Sequence, residues 1–326
     1  MKSYNLDDIK RMFQHMSVQE VEGVPYVLRI ESGKPGATLG ITAQTHGNEP
    51  SGLAAIQYLL EDFGVREKLV AGILYLVVNN VDATHRYLTA TTEEQKRLAR
   101  QIDINMNRLP EDLESITNDT RSEIQRALQL LPVWRKFNVG LDIHSTLQKS
   151  PPMIMNVGKE LPRNLIRGFP IKIICSNVDR VHPGIAPACH FYGAAGADIP
   201  ILGIEAGQHE TAEAFENARR CVLSLLQNLG MVKGNPETTV NEYEEYVVED
   251  AIIFPDRSFE LTDLLCKPFD PFQPIRKGDV LALSDDGKRA FLAPFDGHAV
   301  FHSQRRPDDI REQALFLSRP VRMVRI

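Results

Sequence analysis

The chain has 326 residues, 43% of them hydrophobic and 25% charged, which is enough for a sizeable core and for one large domain or a large one plus a small one. A formal net charge of -6 argues against nucleic acid or an anionic membrane as partner. The one dense basic stretch, 96–100, reads as the solvated face of a helix. No apolar run approaches the roughly 20 residues that span a bilayer. The start MKSYNLDDIK carries early acids and no apolar leader. The four cysteines, Cys175, Cys189, Cys221 and Cys266, form no C-x-x-C pair. Reduced, mostly buried thiols and a cytoplasmic location are expected.

In chain order, 24–30 reads as a strand, the turn Gly33-Lys34-Pro35-Gly36 follows, and 37–43 reads as a second strand. Leu53, Ile56, Leu59 and Leu60 recur at helical spacing within 51–63. Residues 73–78 read as a strand, and after a polar stretch 122–137 reads as a helix. Short apolar strands are expected at 139–143, 153–157, 171–175 and 199–204, then a helix over 211–229 ended by Gly230. This alternation predicts an α/β fold with a mostly parallel or mixed central sheet and helices on both faces. Past Gly234-Asn235-Pro236 helical periodicity stops. Strand signals at 243–248, 280–283, 289–292, 298–302 and 315–317 are parted by turns such as Asp286-Gly287 and Asp296-Gly297. The expected division is therefore an α/β domain over 1–240 and a small all-β domain over 241–326.

Three strand ends carry chemistry. After 37–43 comes Thr45-His46-Gly47-Asn48-Glu49, just before a helix. Ligands in an open α/β sheet bind outside the carboxyl ends of strands. Imidazole and carboxylate together suit Zn²⁺, which in catalytic sites takes three protein ligands and a water. With nine His and 43 acidic residues, one chance His-x-x-acid pair is also expected, so this segment alone does not decide. The second strand end is Asp142-Ile143-His144-Ser145-Thr146. Asp142 lies two positions before His144 and so shares its side of the strand. It could hydrogen-bond a metal-bound imidazole; a solvated Asp/His pair is the alternative. The third end is Ile204-Glu205-Ala206-Gly207. Its carboxylate could act as a general base or be a surface acid.

H-G-N-E, D-x-H-S-T and I-E-A-G, in this order at successive strand ends, resemble the succinylglutamate desuccinylase/aspartoacylase family, related to the zinc carboxypeptidases. The resemblance extends over essentially the whole chain, including the β-rich tail with Phe272-Gln-Pro-Ile-Arg-Lys-Gly278. It implies one Zn²⁺ per chain held by His46, Glu49 and His144. It implies Glu205 as general base and then proton donor to the leaving amine. It implies that Asn107 and Arg108, matching the family's Asn-Arg pair, hold a substrate carboxylate, for which a planar guanidinium is well shaped. Arg100 has the spacing of the family's carbonyl-polarising arginine, with Arg86 as a competitor across the insertion-like stretch 89–101. Two further departures stand out. Asn105 replaces the Asp that opens the family's Asp-x-Asn-Arg segment, which weakens support for the neighbouring arginine, and Leu147-Gln-Lys-Ser-Pro-Pro follows the His144 motif. His182, His190 and His209 are expected to be structural or solvated, while Arg163 and Arg180 are candidates for a second carboxylate.

The implied activity is hydrolysis of an N-acyl amino acid, a small carboxylate-bearing substrate. The rivals are a carboxypeptidase acting on short peptides and a binding protein that retains zinc without catalysis. A homo-oligomer is left open.

Overall fold

The runs of Leu, Ile and Val at 38–43, 73–78, 139–146 and 201–208 are buried almost from end to end. That is the burial of strands covered on both faces. The structure is a computed structural model that describes residues 5–110, 112–157, 163–181, 200–237, 240–300 and 313–325. Its strands in chain order are β1 (Glu20–Val21), β2 (Val24–Pro25), β3 (Val27–Glu31), β4 (Thr38–Ala43), β5 (Ile73–Val78), β6 (Val139–Thr146), β7 (Met153–Val157), β8 (Ile173–Ser176), β9 (Ile201–Gln208), β10 (Glu242–Ile253), β11 (Phe259–Leu261), β12 (Phe272–Ile275), β13 (Val280–Ser284), β14 (Ala290–Leu292), β15 (Gly297–Val300), β16 (Gln313–Ser318) and β17 (Arg322–Arg325).

Two compact units divide the chain. The first holds residues up to Lys172 and again up to Asn241, and its sheet has the order β7-β9-β6-β4-β5-β3. Strands β9, β6, β4 and β5 are mutually parallel, and β7 and β3 flank them antiparallel. Helix Ser122–Trp134 buries Ile124, Ala127, Leu130, Val133 and Trp134 against Val27, Tyr75 and Val77 on one face. Gly52 of helix Ser51–Gln57 packs on Ala43 and Ile143, which point to the opposite face. The mixed α/β sheet with helices on both faces is therefore present.

Gly40 lies in β4 directly under Phe137, and a Cβ there would stand 2.1 Å from the Phe137 ring. Phe137 is buried in the same core, so the ring has nowhere to go. Gly40→Ala should destabilise the protein by about 1–3 kcal/mol through overpacking, measured as a shift in the urea midpoint at unchanged slope.

The second unit comprises Ile173–Pro183 and Glu242–Arg325. The first of these segments falls inside the span 1–240 expected for the α/β domain. The reason is hydrogen bonding: β8 runs parallel to the first half of β10, pairing Ile173 with Glu244 and Ser176 with Val247. The same half of β10 pairs antiparallel with β17, and its second half pairs with β16. Strands β16, β15 and β12 continue this sheet, and β11, β13 and β14 form a separate antiparallel sheet. Phe254, Phe259, Leu261, Leu281 and Leu315 fill a core of their own.

Among the described residues the two longest helices outside the expected elements are Leu6–Ser17 and Val81–Thr89, and Glu93–Leu98 gives bounds to the helix read at 96–100. Leu6–Ser17 starts at a capping box made by Asn5 and Asp8 and buries Ile9, Met12, Phe13 and Met16. Val81–Thr89 is capped by Asn80, and Glu93–Leu98 by Thr92 with Gln95. Among the described residues no helix is long and apolar enough to cross a membrane. Cys175 and Cys221 are buried free thiols and Cys266 is partly exposed, whereas Cys189 lies outside the described residues.

Candidate metal centre and substrate site

Strand β4 ends at Ala43, and Gln44 turns the chain out of the sheet in the left-handed region, φ 60°. Its side chain donates to the Gly47 carbonyl (3.0 Å), closing the loop that carries His46 and Glu49. Gly47 donates to the Arg100 carbonyl (2.9 Å). It must be glycine, because a Cβ would lie 2.3 Å from the Ala83 backbone. Strand β6 supplies His144, and β9 places Glu205 beside it in register. All four side chains are buried.

His46 Nδ1 lies 2.7 Å from Glu49 Oε1, and His144 Nδ1 lies 2.8 Å from Glu49 Oε2. The far nitrogens are held from behind. His46 Nε2 bonds Asn105 Oδ1 (2.9 Å), and His144 Nε2 bonds Asp142 Oδ2 (3.0 Å). Asp142 also accepts from the hydroxyls of Thr42 (2.7 Å) and Thr45 (3.0 Å), and Thr45 accepts from Asn79 (2.9 Å). Asn105 Oδ1 is fixed as the oxygen because it also accepts from the Asn107 N–H (2.8 Å).

These contacts set the tautomers. His46 Nε2 donates to Asn105, so a neutral ring turns the lone pair of Nδ1 toward a carboxylate oxygen. Burial, then the Arg100 charge, hold His46 below its ordinary range, which favours that neutral ring. Two lone pairs facing at 2.7 Å are repulsive unless a cation sits among them. One donor atom from each of His46, Glu49 and His144 lies within 4.8 Å of the others. The donor set therefore fits a divalent cation with N and O ligands.

Burial opposes the charge on Glu49, yet His46 and His144 outweigh it and hold the carboxyl well below its usual range. His144 is pushed down by burial but raised well above its ordinary value by Asp142 and Glu49. Glu205 is pushed up to about 8, first by burial and then by the Glu49 charge. Its Oε2 is buried and has no hydrogen-bond partner among the described residues.

Arg100 Nη1 donates to Glu49 Oε1 (3.1 Å), so Arg100 reaches the site. Arg86 is exposed and donates to the Gln101 carbonyl (3.3 Å). Within the stretch 96–100, Lys96 is mostly buried and bonds Glu210 (3.1 Å), which also accepts from Tyr87 (2.5 Å). A purely solvated face is thus replaced by a tethered one. Asn107 and Arg108 sit on the turn Met106–Arg108 that leaves Asn105, and Arg108 Nη1 donates to the Asn107 carbonyl (2.7 Å). Position 105 also takes on a role not expected: the Asn105 side chain supports His46, while its carbonyl accepts from the Arg108 N–H (2.8 Å).

His209 is partly buried and takes a structural role. Its Nδ1 bonds the Ser145 hydroxyl (2.8 Å), and burial pushes it down to about 4. Arg163 is exposed on a short 3-10 turn, and Arg180 lies on the short helix Val178–Val181. His182 and His190 fall outside the described residues. Thr42 and Thr45 were not legible as site residues; in hindsight their hydroxyls flank the same strand end as His46.

Strand ends that bring His46, Glu49 and His144 together, with Glu205 in register beside His144, define an α/β protein with a candidate metal centre at the ends of a mixed sheet. Residues 35–244 match the family described as Succinylglutamate desuccinylase/Aspartoacylase catalytic domain, and the chain belongs to that family. In structure it is similar to succinylglutamate desuccinylase from Vibrio cholerae, at 19% identity and a TM-score of 0.67, covering 92% of this chain and 85% of that one. It is also similar to murine aminoacylase 3, at 20% identity and a TM-score of 0.62, covering 90% of this chain and 98% of that one. At these identities the likeness is one of fold. No curated protein matches the chain in sequence.

Proposed function

We propose that the protein is a zinc-dependent amidohydrolase that removes the acyl group from an N-acyl amino acid. The observation that carries this reading is a buried Glu205 carboxylate with a partnerless oxygen, in register beside His144 of the His46–Glu49–His144 donor set. His46 Nδ1, His144 Nδ1 and Glu49 would hold the zinc ion, which when bound acts as a Lewis acid and lowers the pKa of water.

Glu205 Oε2 takes the proton from the attacking water and passes it to the departing amine nitrogen. Arg100 faces the developing negative charge on the carbonyl oxygen, where a preorganised cation is most effective. Asn107 and Arg108 grip the free carboxylate of the amino-acid part, which fixes the amide for attack. Asp142 and Asn105 keep both imidazoles in the tautomer that leaves Nδ1 free.

The test is a panel of N-acetyl, N-succinyl and longer N-acyl amino acids, each with its carboxamide, beside a panel of short peptides. Turnover of free-acid N-acyl amino acids is expected, and turnover of peptides alone would replace this reading by a carboxypeptidase. Arg108→Ala should raise KM for the free acid by roughly 10–100-fold, the loss of a charge-assisted pair. It should leave the carboxamide unaffected. Equal effects on acid and carboxamide would remove Arg108 from carboxylate binding.

A further inference from the structure

Glu123 is an acid with no access to solvent, near the start of helix Ser122–Trp134. Its Oε1 accepts from the Ile102 N–H (2.7 Å) and from Asn80 Nδ2 (3.1 Å). Its Oε2 accepts from the Asp103 N–H (3.0 Å) and the Ile104 N–H (3.2 Å). Three successive backbone N–H groups thus close on one carboxylate, the concave arrangement that binds anions. The tie is mutual, since Asp103 Oδ2 accepts from the Ser122 N–H (2.7 Å) and so satisfies an orphan donor of the helix start. Ser122 in turn donates through its hydroxyl to Asp82 (2.6 Å).

The clamped segment runs directly into Asn105, whose Oδ1 accepts from His46 Nε2, and then into Asn107 and Arg108. We propose that Glu123 is a positioning residue for both halves of the site. Its carboxylate fixes the 102–104 backbone so that Asn105 orients His46 and Arg108 meets the substrate carboxylate. The second half rests on the reading of Arg108 given above. Both Glu123 oxygens are fully engaged by donors, so the side chain acts through the loop and not on substrate. The position also needs an acid. A glutamine in either flip sets its NH₂ against two donors.

The experiment compares wild type, Glu123→Gln and Asp103→Ala. Asp103 has an exposed side chain, so its removal loosens the same loop without touching the core. Two quantities are read: zinc affinity by chelator competition, and the ratio of kcat/KM for the best N-acyl amino acid over its carboxamide. Glu123→Gln should weaken zinc binding by about tenfold or more. The acid-over-carboxamide ratio should fall toward that of Arg108→Ala, through KM more than kcat. Asp103→Ala should move both quantities the same way by less. Folded variants with unchanged zinc affinity and unchanged ratio would overturn the proposal. If Glu123→Gln does not fold, Asp103→Ala decides alone, and wild-type values there overturn it. A wild type indifferent to the carboxylate would instead sink the Arg108 reading. Zinc affinity would then still decide the link from Glu123 through Asn105 to His46.

Discussion

Glu205→Gln should keep its zinc and lose turnover by roughly 10²–10⁴-fold, the usual contribution of a positioned acid–base group. The substitution preserves shape and replaces a basic carboxylate by an amide that takes no proton near neutral pH. Glu205 stands next to His144 across β6 and β9, and it supplies none of the three clustered donor atoms. Metal content should therefore stay at one ion per chain. Burial and the Glu49 charge explain why the carboxyl is pushed up to about 8. Such a group passes a proton in either direction near neutral pH more readily than an exposed glutamate. Measuring kcat and metal content on one preparation gives the answer. Near wild-type turnover in Glu205→Gln would assign the base elsewhere.

His144→Ala should be the more damaging change, because it affects both metal binding and stability. The imidazole stands between two buried carboxylates, Asp142 at 3.0 Å and Glu49 at 2.8 Å. Removing it takes away one of the three donor atoms and leaves Asp142 Oδ2 without the Nε2–H it accepts, and a buried acceptor left unsatisfied costs about 1–3 kcal/mol. Among the described residues Asp142 then keeps the Thr42 and Thr45 hydroxyls as its side-chain donors. Metal content by atomic emission should fall to near zero, and the thermal midpoint should drop. His209→Ala is the control. Its ring contacts Ser145 and not the donor set, so that variant should retain the metal. Retention by His144→Ala and loss by His209→Ala would invert the assignment.

The sheet was legible because its parallel strands are covered on both faces, so their apolar runs are nearly continuous. The runs at 73–78 and 153–157 coincide with β5 and β7. Helices in the polar stretch after β5 were not legible by periodicity. Val81–Thr89 and Glu93–Leu98 are short, and no residue of the second is fully buried. Their caps, Asn80 and Thr92, carried the readable signal. Leu6–Ser17 had both a cap and helical spacing of Ile9, Met12, Phe13 and Met16, so it was open to reading.

At the site, the residue types at strand ends pointed to His46, Glu49, His144 and Glu205, which the structure brings together. What joins them was hidden, because hydrogen bonds between residues 59 or 97 apart in sequence leave no local pattern. Asn105 was visible as a departure from the family motif, and only the fold shows that it faces His46. Glu123 carries no local pattern that sets it apart from other acids in a first helical turn, because the 102–104 backbone that ends on it is remote in sequence.

Strand β8 is made early in the chain, yet its partner β10 begins only at Glu242. During synthesis, Ile173–Ser176 must wait with one row of backbone groups bonded to water until the whole of the helix Ala212–Asn228 has been made. The second unit is thus laced through the chain, and its assembly needs a pairing across more than sixty residues, the long-range kind of contact that forms late in folding.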